Sequence, residues 1–189
     1  MNNQVTINKE NILNAYNQAS GEQKALLENM FGKDMFQPQD IKERVKTFDD
    51  AVAILGNDNQ AVIDYYAIAD KTCIEDILAF AKLRVIAEAL NEGWKPKFDG
   101  DECRYYPWFY IYTKEEYEKL DEDEKKECRV VGRSNSSSNA GGGLVCAFAS
   151  YASSFSASVY GSRLAFKTRE LGEYCGKQFI DIWEKFLFA

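Results

Sequence analysis

The chain has 189 residues, with 23 lysines and arginines against 30 aspartates and glutamates and no histidine, so its formal charge is −7. Without histidine it contains no Ser-His-Asp or Cys-His nucleophile system and no His-ligated metal site, which lowers the expectation of catalysis. Its 46% hydrophobic residues exclude a disordered chain, and its length suits one domain, or a helical subdomain joined to a second lobe.

The cysteines and the N-terminus indicate the cellular compartment. Five cysteines stand 18 to 30 residues apart, and none forms a C-x-x-C pair, so we expect free thiols in a reducing environment. The first residues, MNNQVTINKENI, lack the basic and apolar regions of a secretory signal. No apolar run approaches the ~20 residues that a membrane-spanning helix needs. We therefore predict a cytoplasmic protein with no membrane partner.

Residues 1–93 read as a helical region. Ser20 followed by Gln23 is a capping-box pattern before an apolar run. The strongest helix is expected to follow Thr72 as its cap and to end at Gly93. Its apolar face is broad, which predicts that it lies in the centre of the core.

Residues 94–189 change character and predict a small antiparallel sheet with a closing helix. The aromatic segment 105–113 contains Pro107 and reads as a strand that begins there or lies at an edge. Further candidate strands are 128–131, 144–150 and 163–167. Residues 114–127 read as a short exposed helix, and Thr168 is expected to cap the closing helix. The predicted class is α+β, with regions 1–93 and 94–189 in one compact arrangement.

Charge is unevenly distributed along the sequence. Residues 1–93 carry 9 basic and 15 acidic side chains, and residues 99–127 carry 5 and 11. Residues 129–180 carry six basic side chains against only Glu170 and Glu173, a local balance of +4. Because local charge governs where an anion docks, this segment is the favoured binding region of an acidic protein.

A candidate anion site follows from that segment. Arginine forks bind phosphate or carboxylate bidentately, and aromatic side chains stack on bases. The predicted ligand-binding residues are Arg129, Arg133, Arg163, Lys167, Tyr105, Tyr106 and Trp108. In the competing interpretation the arginines pair with carboxylates and the aromatic rings fill the core. The glycine run 141–143 is no P-loop, because no G-K-[ST] follows it.

Two other features carry alternative functions. Asp99, Asp101 and Glu102 form a compact carboxylate group that would suit a hard cation, but it lacks the further spaced ligands of an EF-hand loop, and a turn is the favoured explanation. The aromatic closing helix is expected to belong to the core, and in the alternative interpretation Trp183 and Phe188 near its end mark a contact for a homo-oligomer. The acidic segment 99–127 would also suit imitation of a nucleic acid, although solubility explains acidic surfaces as well.

Several short motifs, in this order, resemble a family of small proteins of tailed phages and prophages of gut Bacteroidales. They are ILNAY at 12–16, WKP at 94–96, YYPWF at 105–109, SRLAFK at 162–167 and GKQF at 176–179. The resemblance covers nearly the whole chain. It implies a phage origin and expression inside a bacterial cell, and it carries over no functional residues.

These observations together predict a non-enzymatic phage accessory protein in the cytoplasm of its bacterial host. Its expected partner is a host protein or an anionic small molecule, such as a nucleotide or a nucleic-acid fragment, and counteraction of host defence is one role that fits. No cofactor and no bound metal are predicted. The alternatives are a virion or assembly component and, as the weaker one, an enzyme that uses carboxylates and a metal.

Overall fold

The computed structural model describes residues 6–97, 102–127, 143–153 and 161–189. The chain divides into two compact units, Met1–Arg44 and Val45–Ala189, which are taken separately below. The first unit ends at Arg44, whereas the composition of the sequence changes at residue 93. The division into regions 1–93 and 94–189 remains a prediction. Within the described ranges the chain is mostly helical.

The first unit consists of short helices: α1 (Lys9–Gln18), α2 (Gly21–Phe31), a 3-10 turn (Lys33–Phe36) and α3 (Ile41–Arg44). The Asn8 side chain caps α1 by accepting a hydrogen bond from the Glu10 N–H at 2.8 Å. The predicted capping box at α2 is confirmed, since Gln23 Oε1 accepts from the Ser20 N–H at 2.9 Å. The rings of Tyr16 and Phe36 stack with centroids 4.1 Å apart.

The second unit is built around one long helix. Its helices are α4 (Phe48–Leu55), α5 (Gln60–Ala69), α6 (Glu75–Leu90), α7 (Lys114–Glu118), α8 (Glu122–Glu127), α9 (Arg169–Gln178) and α10 (Ile180–Phe188). The prediction that the strongest helix lies in the core is confirmed, because eight residues of α6 are buried and it packs against α4, α5 and α10. Its cap differs from the prediction: Ile74 is the N-cap, and Thr72 Oγ1 accepts from the Ile74 N–H at 3.1 Å.

Two described strands pair as an antiparallel ribbon, β1 (Cys103–Tyr112) and β2 (Gly143–Ser153). The register runs from Cys103 opposite Ser153 to Tyr112 opposite Gly143, with an irregularity after Trp108. These strands match the predicted segments 105–113 and 144–150. The predicted strand 128–131 lies outside the described residues.

The predicted strand at 163–167 is wrong. Residues Ser162–Leu164 form a 3-10 turn, and in the described chain only Phe166 of this segment makes a β-bridge, to Tyr105. The backbone N–H and carbonyl groups of Tyr105 and Phe166 exchange hydrogen bonds of 3.1 and 2.9 Å. The segment thus adds a single pairing to the ribbon, and the described structure supports a mostly helical class with one strand pair.

The two closing helices cover the ribbon and α6. On α9, Gly172 approaches the ribbon so closely that a Cβ there would lie 2.9 Å from the Ala149 Cβ. On α10, Trp183 is fully buried, and its ring centroid lies 5.2 Å from that of Phe109 and 5.8 Å from that of Phe186. Trp183 on α10 therefore belongs to the core. The predicted cap Thr168 is confirmed on α9, where it accepts from the Leu171 N–H at 3.3 Å, and the single closing helix of the prediction is divided at Phe179 into α9 and α10.

Candidate anion-binding site

A cavity of about 320 Å³ opens at the C-terminal end of α6. Its wall combines cationic side chains with one indole ring and two polar groups. The main lining residues are Arg84, Glu88, Asn91, Trp94, Lys95 and Arg163.

A tight turn after α6 brings the chain to this wall. Glu92 and Gly93 have φ angles of +49° and +84°, so two consecutive residues adopt the left-handed conformation. The Trp94 N–H donates to the Asn91 carbonyl at 3.0 Å and closes the turn. The helix therefore ends here, and Trp94 and Lys95 become part of the cavity wall.

The side chain of Asn91 fixes the opposite segment. Asn91 is 5% exposed, its Nδ2 donates to the Ala165 carbonyl at 2.8 Å, and its Oδ1 accepts from the Lys167 N–H at 3.0 Å. A buried amide with both ends satisfied holds its partners in a defined geometry. Asn91 thus ties the end of α6 to the backbone that follows Arg163.

Arg163 is one of the cations of this site whose charge is available to a ligand. It is exposed, and in the described parts of the chain it makes no ion pair or hydrogen bond. Its charge nevertheless contributes to the lowered pKa of the nearby Asp64 carboxyl. Hydrogen bonds from Gln60 and Arg84 lower the pKa of the Asp64 carboxyl against a smaller effect of burial, and the charges of Arg84 and Arg163 lower it further.

Arg84 is already engaged by a carboxylate. Its Nη1 lies 2.8 Å from Asp64 Oδ2, in a pair whose side chains are 22% and 33% exposed. Glu88, the acidic residue of the wall, accepts a hydrogen bond from Asn59 Nδ2 at 2.8 Å. Three cations therefore face one carboxylate along the wall, in a protein whose overall charge is −7.

The indole of Trp94 is held in place by a hydrogen bond to the Glu102 carboxylate. Its Nε1 donates to Glu102 Oε2 at 3.3 Å, and Glu102 Oε1 accepts from the Lys97 N–H at 2.6 Å. The Glu102 carboxylate, a predicted cation ligand, is thus used to position the ring. Asp99 and Asp101 lie outside the described residues, and within the described ones no group of three or more His, Cys, Asp or Glu side chains could hold a metal ion.

The structure brings only part of the predicted site together. Arg163 lines the cavity, whereas Arg129 and Arg133 lie outside the described residues. Lys167 is not a free cation, because its Nζ lies 2.9 Å from Glu92 Oε2. For Lys167 the competing interpretation, pairing with a carboxylate, is the correct one.

The three predicted stacking residues do not line the cavity. Tyr106 is 3% exposed and belongs to the core, so its assignment to a ligand is wrong. Tyr105 is half-buried, with the Arg169 guanidinium 5.9 Å from its ring centroid. Trp108 is 45% exposed but lies on β1. The ring that meets the cavity is Trp94 instead.

Arg84, Asn91, Trp94 and Lys95 were not predicted as site residues. The Trp94-Lys95-Pro96 motif contributes only to the family resemblance, and no local pattern marks Trp94 or Lys95 as part of a site. Arg84 lies within the apolar sequence of α6, so the local pattern indicated a core helix rather than a binding residue. No local pattern marks Asn91, whose partners lie 74 and 76 residues away.

Comparison of the chain with protein-family models, with curated proteins and with solved structures gives no match. What the cavity binds is therefore inferred from its geometry. As to membranes, none of the helices in the described ranges combines the length and the apolar character needed to cross a bilayer.

Proposed function

We propose that the protein is a non-enzymatic binding protein that holds an anionic ligand with a planar ring, a nucleotide or a nucleic-acid fragment, in the cavity at the end of α6. The observation that carries this proposal is Arg163, a cation without an ion-pair partner in the described chain, in the same wall as the Trp94 ring. An arginine binds phosphate through two parallel hydrogen bonds, and an indole stacks on any base.

The size and charge of the cavity favour this class of ligand. Its volume of about 320 Å³ is at the lower end of the range for small-molecule sites. Lys95 is exposed and, like Arg163, has no ion pair within the described ranges, so two cations are available to one anion. An anion would be attracted by both charges, whereas a neutral ligand would gain nothing from them, which favours an anion.

Thermal-shift and calorimetric titrations with nucleoside monophosphates test the proposal. Adenosine and ribose 5-phosphate separate the contributions of the ring and of the phosphate. Arg163→Gln is expected to weaken binding of AMP about tenfold, the value of one charge-assisted hydrogen bond. Lys177→Gln is the matched control, because it removes one exposed cation that does not line the cavity.

Two outcomes would contradict the proposal. One is the absence of any stabilisation by nucleotides at millimolar concentration. The other is an Arg163→Gln variant that binds AMP as tightly as the wild type does.

The proposal extends to the biological setting. We place the protein among phage accessory proteins acting in the cytoplasm of a bacterial host, where it would bind a host macromolecule or withhold an anionic ligand from host defence. The resemblance of the short sequence motifs supports this setting. A pull-down from infected cells, with the eluate examined for proteins and for small molecules, tests it.

A second candidate function is a virion or assembly component. It is favoured by three large apolar side chains, Trp108, Tyr110 and Ile111, which are exposed towards the end of β1. Mass spectrometry of purified particles decides between the two functions. Absence of the protein from particles would argue against the assembly role.

A further inference from the structure

A second cavity adjoins the first. It has a volume of about 440 Å³ and shares Arg84 with the first cavity as part of its wall. Its remaining lining residues are Asp64, Ala67, Ile68, Lys71 and Thr72. Arg84 thus lines both cavities, whose combined volume is more than double that of the first.

The cations continue from one cavity to the other. Lys95 and Arg163 line the first cavity, Arg84 lines both, and Lys71 lines the second. Lys71 is exposed and has no ion pair in the parts of the chain that the structure describes. A succession of cations along adjoining cavities suits a ligand with successive negative charges, such as a nucleic-acid backbone.

The second cavity is better suited to a nucleoside than to a second phosphate alone. Ala67 and Ile68 give part of its wall an apolar character. Placing a phosphate against apolar groups costs desolvation energy, whereas a nucleoside ring gains from that contact.

We propose that the ligand is a single-stranded oligonucleotide of at least two nucleotides, with one base against Trp94, the linking phosphate at Arg84 and the second nucleoside in the cavity of Lys71. This inference rests on the proposed function of the first cavity and specifies its ligand.

The Asp64 carboxylate already binds the Arg84 guanidinium, where the linking phosphate would have to bind. Its Oδ2 binds Arg84 at 2.8 Å, so the phosphate competes with this carboxylate for the guanidinium. Its Oδ1 accepts from Gln60 Nε2 at 2.7 Å, a contact that an asparagine oxygen can keep. Asp64→Asn therefore removes the competing charge while it retains the local hydrogen bond.

Binding of AMP, ADP and the dinucleotide pApA to the full chain tests the proposal. The dinucleotide is expected to bind about tenfold more tightly than AMP, because its linking phosphate gains Arg84 and its second nucleoside gains contact with the apolar side chains of the second cavity. Each added phosphate contact should also steepen the dependence of log Kd on log salt concentration by about 0.7. Lys71→Gln should weaken binding of pApA but not of AMP, whereas Lys177→Gln should change neither. Asp64→Asn should strengthen binding of pApA more than binding of AMP.

The outcomes separate this inference from the function on which it rests. If AMP binds and pApA binds no more tightly, the two-cavity ligand is wrong and the proposed function stands. If ADP gains as much as pApA, the second cavity takes a phosphate and the oligonucleotide is wrong. If no nucleotide binds at all, the proposed function fails and this inference fails with it.

Discussion

Replacing Asn91 with alanine should destabilise the second unit by about 2 to 4 kcal/mol, because two hydrogen-bonding partners lose their contact. The Ala165 carbonyl and the Lys167 N–H bind the Asn91 amide at 2.8 and 3.0 Å, and the first of these contacts is buried. A buried polar group that is left unsatisfied costs about 1 to 3 kcal/mol, and the second contact, which is only partly buried, falls towards the lower end.

Urea denaturation followed by tryptophan fluorescence measures this effect in the right part of the molecule. All three tryptophans, Trp94, Trp108 and Trp183, belong to the unit Val45–Ala189. Asn57→Ala is the matched control: Asn57 is exposed in the turn before α5, and its replacement should change the free energy of unfolding by less than about 0.5 kcal/mol.

A loss below about 0.5 kcal/mol for Asn91→Ala would refute the reasoning, since it would place the two hydrogen bonds within the range of an ordinary surface substitution. A second possible result is a large loss of stability together with unchanged AMP binding by the folded variant. It would show that the Asn91 amide stabilises the fold without setting the position of Arg163.

Two further predictions concern stability. Gly172→Ala should cost about 1 to 3 kcal/mol in thermal or urea unfolding, because the added Cβ would meet the Ala149 Cβ at 2.9 Å. Gly21→Ala, where nothing lies within 4 Å, serves as its control, and equal effects at both glycines would contradict the close approach. The pKa of Asp50 is lowered by hydrogen bonds from the Thr47 side chain and from the backbone of the preceding turn, against an opposing effect of burial. Since the folded pKa lies below the usual 3.8, this stabilisation is present above that pH and is lost as the pH falls through the folded value. Asp50→Asn should therefore be less stable than the wild type at pH 7, with a gap that narrows below pH 3.8; a gap independent of pH would count against it.

Sequence reasoning predicted the helices well because caps and apolar spacing are local signals. Ser20 with Gln23 and Thr168 cap the helices where the sequence placed them. The prediction of a strand at 163–167 was wrong because the deciding contacts are made with a residue far away in the sequence. The Ala165 carbonyl and the Lys167 N–H, which a neighbouring strand would satisfy, are satisfied by the side chain of Asn91 instead.

The candidate site was predicted only in part, since charge counts locate cations without showing their partners. The local charge balance drew attention to Arg163, which lines the cavity. The same count could not distinguish it from Lys167, because the carboxylate that pairs with Lys167 is Glu92, 75 residues earlier. Aromatic content selected Tyr106, whose burial follows from packing in three dimensions rather than from residue type.

The turn at the end of α6 bears on how a ligand would be received. Glu92 is a non-glycine residue with a φ of +49°, a conformation that costs roughly 1 kcal/mol or more. Its carboxylate is at the same time joined to Lys167 at 2.9 Å, on the segment that also carries Arg163. This ion pair and the two hydrogen bonds of Asn91 join the end of α6 to the segment that carries Arg163. A ligand would therefore meet a wall whose backbone is already tied together by the fold, so that less conformational entropy would be lost on binding.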